Sequence, residues 1–158
     1  MRFLKLAAYI LAVIVLQTVI FPRLSFMGVY PDLILVSVIA FAVLAERNAA
    51  TLFSGSLAFL QDVFSAGIYL NTIVKVIVSN AVCSLKEEFM GNEYSLTAGL
   101  VAALTPLIIL TQAGILFFFF EKDLNWPYLV FSLAATTLYN LLMVPLLFPV
   151  VKRIASGD

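Results

Sequence analysis

Long apolar runs, separated by short gaps that hold most of the charges, dominate this chain. Six runs predict six helices: residues 4–21, 32–45, 49–64, 70–85, 96–120 and 128–151. A bilayer core about 30 Å thick takes roughly 20 apolar helical residues, and unpaired backbone groups are so costly in lipid that spanning segments form helices. The predicted fold class is therefore all-α: a polytopic membrane bundle of about six transmembrane helices, forming a single transmembrane domain over residues 1–158. The second and third runs, joined by Glu46, Arg47 and Asn48, have about 14 to 16 residues each. Either is short enough to be a half-span or part of a re-entrant pair.

Composition points the same way. Hydrophobic residues make up 63% of the 158 positions and mean hydropathy is +1.10, so function belongs inside a bilayer. The first run follows Arg2 and Lys5 as a secretory leader would, but it is long and leaves through Phe21, Pro22 and Arg23 without a small-residue cleavage pattern. It reads as a retained helix. With six spans, Arg2, Lys5, Arg47, Lys86, Lys152 and Arg153 share one side and Arg23 and Lys122 the other. The positive-inside rule then puts both termini in the cytoplasm. Trp126 and Tyr128 suit an interfacial position. A net charge of zero gives no hint of nucleic acid, and no basic cluster marks a lipid head-group site.

Catalytic and metal chemistry have little to work with. There is one cysteine, Cys83, and no histidine, so neither a disulfide, a metal-ligand cluster nor a triad can be assembled. No Gly-rich phosphate loop is present. No cofactor is expected, and binding or scaffolding is the starting expectation, not enzymatic activity.

Two charges fall within predicted spans, where each costs about 2.5–3.5 kcal/mol near the bilayer centre. Asp62 ends a stripe of Thr51, Gly55, Ala58 and Asp62 on the third span. On the fourth, Asn71, Lys75, Ser79 and Lys86 share a similar stripe. The two faces are expected to point inward toward each other, which would allow Asp62 and Lys75 to form a buried pair. The alternative is that Asp62 caps a helix end while Lys75 snorkels along its alkyl stem. Gln17, Ser79, Asn80, Thr105, Gln112 and Asn140 can hydrogen-bond between helices or line a ligand site. Gly99 and Ala103, with Ala98 and Ala102, form small-xxx-small pairs suited to close helix contact, and Phe117 to Phe120 suit a lipid-facing anchor. In Gly28, Val29, Tyr30, Pro31 and Asp32, the glycine permits a tight turn, Pro31 suits a helix start and Asp32 faces the positive end of the helix dipole.

GVYPDLIL at Gly28 to Leu35, followed by GSLAFLQD at Gly55 to Asp62 and then Ser65, Gly67 and Asn71, resembles the MreD family of bacterial rod shape-determining membrane proteins. Tyr139, Asn140 and the Pro145 to Pro149 segment before Lys152 and Arg153 resemble the family's last helix. The chain departs from the family pattern at Ala58 and Phe59, where another glycine is expected, and at Lys75. The resemblance implies a non-catalytic member of the cell-elongation machinery. Such proteins pair with MreC, and the pair links MreB filaments to the glycosyltransferase RodA and its transpeptidase partner. It further implies a bundle similar to the substrate-binding components of energy-coupling vitamin transporters. Two other classes fit six spans with intramembrane polar groups: a small-molecule binding subunit of a membrane transporter, and a lipid flippase.

Overall fold

The structure, a computed structural model, describes residues 2–65, 69–89, 91–121, 123 and 125–156. Among the described residues there are six α-helices and no named strand. α1 (Arg2–Val15) continues through a π-helical turn (Leu16–Ile20) and a 3-10 turn (Phe21–Leu24). It is followed by α2 (Leu33–Leu44), α3 (Arg47–Phe64), α4 (Leu70–Glu88), α5 (Glu93–Phe120) and α6 (Trp126–Ser156). Pro22 is the second residue of the 3-10 turn, and Pro106, Pro145 and Pro149 lie inside α5 and α6. Intramembrane helices tolerate such prolines because neighbouring groups re-satisfy the freed backbone.

α2 is the axis of the bundle. Leu33 to Val43 are buried without a break, and α2 touches all five other helices. Its apolar composition does not explain this position, because lipid tails are as apolar as leucine and offer no hydrophobic drive between helices. Length does. At 12 residues it is about 18 Å long, well short of the roughly 30 Å core. Left in lipid, its terminal N–H and C=O groups would lie unpaired in hydrocarbon. In the bundle, both ends meet polar side chains from other helices.

Among the described residues, three helical stretches are long and apolar enough to cross a membrane: Leu4–Leu24, Glu93–Phe120 and Trp126–Ser156. α3 and α4, the pair most extensively packed on each other, are more polar. Their contacts bring Thr51 to Asn80, Gly55 to Val76, Gln61 to Lys75, and Asp62 to Asn71 and Thr72. At Gly55 an added Cβ would lie 3.6 Å from Val76, which is ordinary packing distance.

Between the 3-10 turn and α2 the chain makes a two-residue hairpin. Phe26 and Val29 exchange backbone hydrogen bonds at 3.0 and 2.9 Å, with Met27 (φ 52°) and Gly28 (φ 79°) at the tip. Two successive positive φ values are the geometry of a type I′ turn, which glycine enters without strain. A Cβ on Gly28 would approach the Tyr128 hydroxyl to 3.2 Å, so the hairpin rests on the start of α6.

At the end of the bundle opposite the hairpin, Lys86 on α4 donates to the carbonyl of Ala42 at 2.9 Å and to that of Ala45. It brings a positive charge to the carbonyl end of α2, where the helix dipole favours one. The Cys83 thiol lies 3.6 Å from the same Ala42 carbonyl. Arg47 pairs with Glu87 at 3.4 Å, joining α3 to α4, and Lys152 pairs with Glu93 at 2.8 Å, joining α6 to α5. Lys5 and Arg153 line one cleft at this end too. Phe41 of α2 stacks on Phe53 of α3 with ring centroids 4.2 Å apart.

Candidate functional site

Polar side chains from all six helices converge near the hairpin end, around the first turn of α2. Asp32 is the N-cap, and its Oδ1 accepts the backbone N–H of Leu35 at 2.9 Å. A free helix start carries four unpaired N–H groups, and two neighbours meet others here. Gln17, in the π-helical turn, accepts the N–H of Leu33 through Oε1 at 2.7 Å. Asn140 of α6 accepts the N–H of Asp32 through Oδ1 at 2.7 Å and donates from Nδ2 to Thr105 Oγ1 of α5 at 3.1 Å. Pro31 precedes the cap. The π-helical register inserts an extra residue per turn exactly where Gln17 reaches α2.

Lys75 is fully buried. Its Nζ lies 3.0 Å from Asp32 Oδ2 and 3.3 Å from Oδ1, and donates to Gln61 Oε1 at 2.5 Å. The ammonium therefore bridges the start of α2 to the last turn of α3. The expected Asp62–Lys75 pair does not form, and Lys75 does not snorkel. Asp62, itself 1% exposed, caps the start of α4: it accepts from Thr72 N at 2.8 Å, Thr72 Oγ1 at 2.7 Å and Asn71 Nδ2 at 2.9 Å. A carboxylate so placed meets the positive end of the α4 dipole and local donors, while Lys75, one turn further along α4, faces α2.

Gln112 of α5 donates to Asn71 Oδ1 at 3.1 Å and completes the outer part of the network. Ser79, one turn beyond Lys75, is buried, and its Oγ has no hydrogen-bond partner among the described residues. Tyr30, beside the network and outside the spans, has its hydroxyl pKa raised by burial and by the neighbouring Asp32 and Tyr128. It stays neutral.

The remaining predicted positions divide. Gly28 and Gly55 sit at the close approaches described above. Gly67 lies outside the described residues, as does Lys122. Gly99 and Ala103 are exposed on α5, and an added Cβ at Gly99 meets nothing within 4 Å. The small-residue face is thus unused by the chain's own packing. Phe117 to Phe120 are exposed, as are Trp126 and Tyr128. Of the intramembrane polar residues, Gln17, Thr105, Gln112 and Asn140 join helices, and Asn80 meets Thr51 Oγ1 at 3.3 Å. The sequence places Asp32 at a helix start within the motif that resembles the MreD family, and gives no sign of a role for Gln61 or Thr72. Chemically, the arrangement among the described residues fixes helices in register and neutralises the fully buried Lys75 with the part-buried Asp32. The chain matches no protein-family model, no curated protein and no solved structure.

Proposed function

We propose that this chain is a non-enzymatic membrane scaffold of the bacterial cell-elongation machinery, whose α5 face receives the single transmembrane helix of an MreC partner. Through MreC it couples MreB filaments to RodA and its transpeptidase, and so to peptidoglycan synthesis and rod shape. The observation that carries this reading is the α5 face itself: Ser95, Gly99 and Ala103 are spaced four apart, exposed, and free of the chain's own helices. Small residues at this spacing let a second helix approach closely, which is how helices associate in lipid. The polar groups near the start of α2, by contrast, are largely consumed by one another.

In this reading all six helices serve the crossing, α2 as a short segment held inside the bundle. The end bearing Lys5, Arg47, Lys86, Lys152 and Arg153 faces the cytoplasm of the inner membrane, with both termini.

Detergent co-purification of the tagged chain with untagged MreC tests the proposal. One-step recovery of MreC that falls with Gly99→Leu or Ala103→Leu is the expected result. Recovery indifferent to both substitutions removes this face. A retained small molecule, or an energising transporter subunit in place of MreC, would move the chain to the runner-up reading, a small-molecule binding subunit of a transporter.

A further inference from the structure

The hairpin between the 3-10 turn and α2 turns large apolar side chains outward. Leu24, Phe26 and Met27 are 71, 61 and 70% exposed, while Val29 is buried. The tip is held as it stands. Pro22 and Pro31 fix φ on either side, and Ser25 Oγ donates to the Pro22 carbonyl at 2.9 Å. The paired backbone hydrogen bonds and the approach of Gly28 to Tyr128 secure the rest. Its height follows from the helices beside it. The stretch Leu4–Leu24 has 21 residues, about 30 Å of helix, which is the depth of the hydrocarbon core. Leu24 therefore emerges at the boundary, and the tip follows directly. Trp126 and Tyr128, at the start of α6 where the hairpin rests, are exposed, and such rings favour that level. Arg23, exposed beside Leu24, makes no ion pair among the described residues. The one acidic residue outside them, Asp158, comes after α6 in the chain.

We infer that the hairpin is an interfacial anchor: Leu24, Phe26 and Met27 dip into the acyl-chain boundary of the bilayer, and Arg23 lies against lipid phosphates. Apolar side chains held outward mark a protein or a membrane contact, and at this height lipid is already alongside. A protein partner would have to displace lipid that is as apolar as its own side chains, with no hydrophobic drive to do so. The guanidinium adds charge complementarity, since it pairs well with phosphate. A preformed turn also loses little conformational freedom on entering the interface. The hairpin leads through Pro31 straight into the N-cap Asp32. Anchoring it therefore sets the depth at which the short α2 begins and at which Asp32 meets Lys75. The inference rests on the membrane crossing in the reading above, and not on MreC or the α5 face.

Tryptophan quenching in vesicles of phosphatidylcholine and phosphatidylglycerol tests the inference, with the full chain carrying Trp126→Phe so that no other tryptophan remains. Met27→Trp should lose more emission to lipids brominated near the head-group end of the acyl chain than to lipids brominated near its methyl end. Acrylamide in the water should quench it less than it quenches free tryptophan. Leu11→Trp, inside the first span and exposed on its surface, should show the reverse bromine order. Bromine quenching of Leu11→Trp, with Met27→Trp answering only to acrylamide, would put the hairpin in water and overturn the anchor while the membrane crossing stands. Shielding of Met27→Trp from both quenchers would mean that protein, such as a second copy of the chain, covers the tip, and would overturn it too. No bromine quenching of Leu11→Trp removes the membrane crossing itself, and the anchor with it. Phe26→Trp, one aromatic for another, repeats the test if Met27→Trp does not fold. The same preference for bromine at the head-group end is expected, and its absence overturns the anchor.

Discussion

The Lys75 ammonium lies 3.0 Å from the Asp32 carboxylate, joining the interior of α4 to the first turn of α2. Removing one partner of a buried pair leaves an uncompensated charge and costs about 3–5 kcal/mol. The Asp32 side chain left behind by Lys75→Met is 25% exposed, so this variant should lower thermal stability in detergent by less than that. Adding Asp32→Asn, which keeps an oxygen for the Leu35 cap, should recover part of the loss, with a coupling of about 1–3 kcal/mol. Strictly additive losses would show that the two residues do not act as a pair.

Asn140 and Ser79 make opposite predictions although both are buried polar residues. Asn140→Leu leaves the Asp32 N–H and the Thr105 hydroxyl without a partner, and should destabilise the bundle by about 1–3 kcal/mol. Ser79→Ala removes an oxygen with no partner, so it should be neutral or stabilising. Thermal unfolding of the two variants side by side checks both signs.

Lys86 holds the carbonyl end of α2. Lys86→Met should cost about 1–3 kcal/mol by stranding the Ala42 and Ala45 carbonyls, and Lys86→Arg should restore part of it. Hydrogen exchange at the end of α2 is the direct readout: protection there should fall in the Met variant while the first turn of α2, held by Asp32, Gln17 and Asn140, keeps its own.

Gly99→Ala should leave the isolated chain folded and stabilise α5 by up to about 1 kcal/mol, since the added methyl meets nothing and alanine is the better helix former. Gly28→Ala should do the reverse. The left-handed conformation costs about 1–2 kcal/mol for a residue with a Cβ, and the methyl also presses on Tyr128. Tyr128→Phe should relieve only the second part, which separates backbone strain from crowding in a thermal melt.

The apolar runs made the helices legible because hydrocarbon imposes helical hydrogen bonding on any long apolar segment. The partners of the charged residues were less so. The stripes on the third and fourth predicted spans pointed Asp62 and Lys75 toward each other, but periodicity carries no depth and does not name the third helix that Lys75 meets. Asp62 sits beside the start of α4 and is claimed by Thr72 and Asn71. Lys75, one turn deeper, meets the Asp32 carboxylate, whose position at a helix start gave no sign of a charged partner. Lys5 and Arg153 escaped notice as a cluster because α1 and α6 are far apart in the chain. The open face at Gly99 and Ala103 was legible as a small-residue stripe, but its outward direction needed the packing of α5 on α2 and α6.

The position of α2 also orders events during synthesis. Its residues leave the ribosome early, yet the groups that satisfy its two ends arrive late: Lys75 and Lys86 with α4, and Asn140 only with the last helix. A nascent chain that ends before residue 140 carries a short helix with an unfilled backbone donor at its start. The bundle is therefore completed only when its C-terminal helix arrives, and the segment at its centre must wait for that helix.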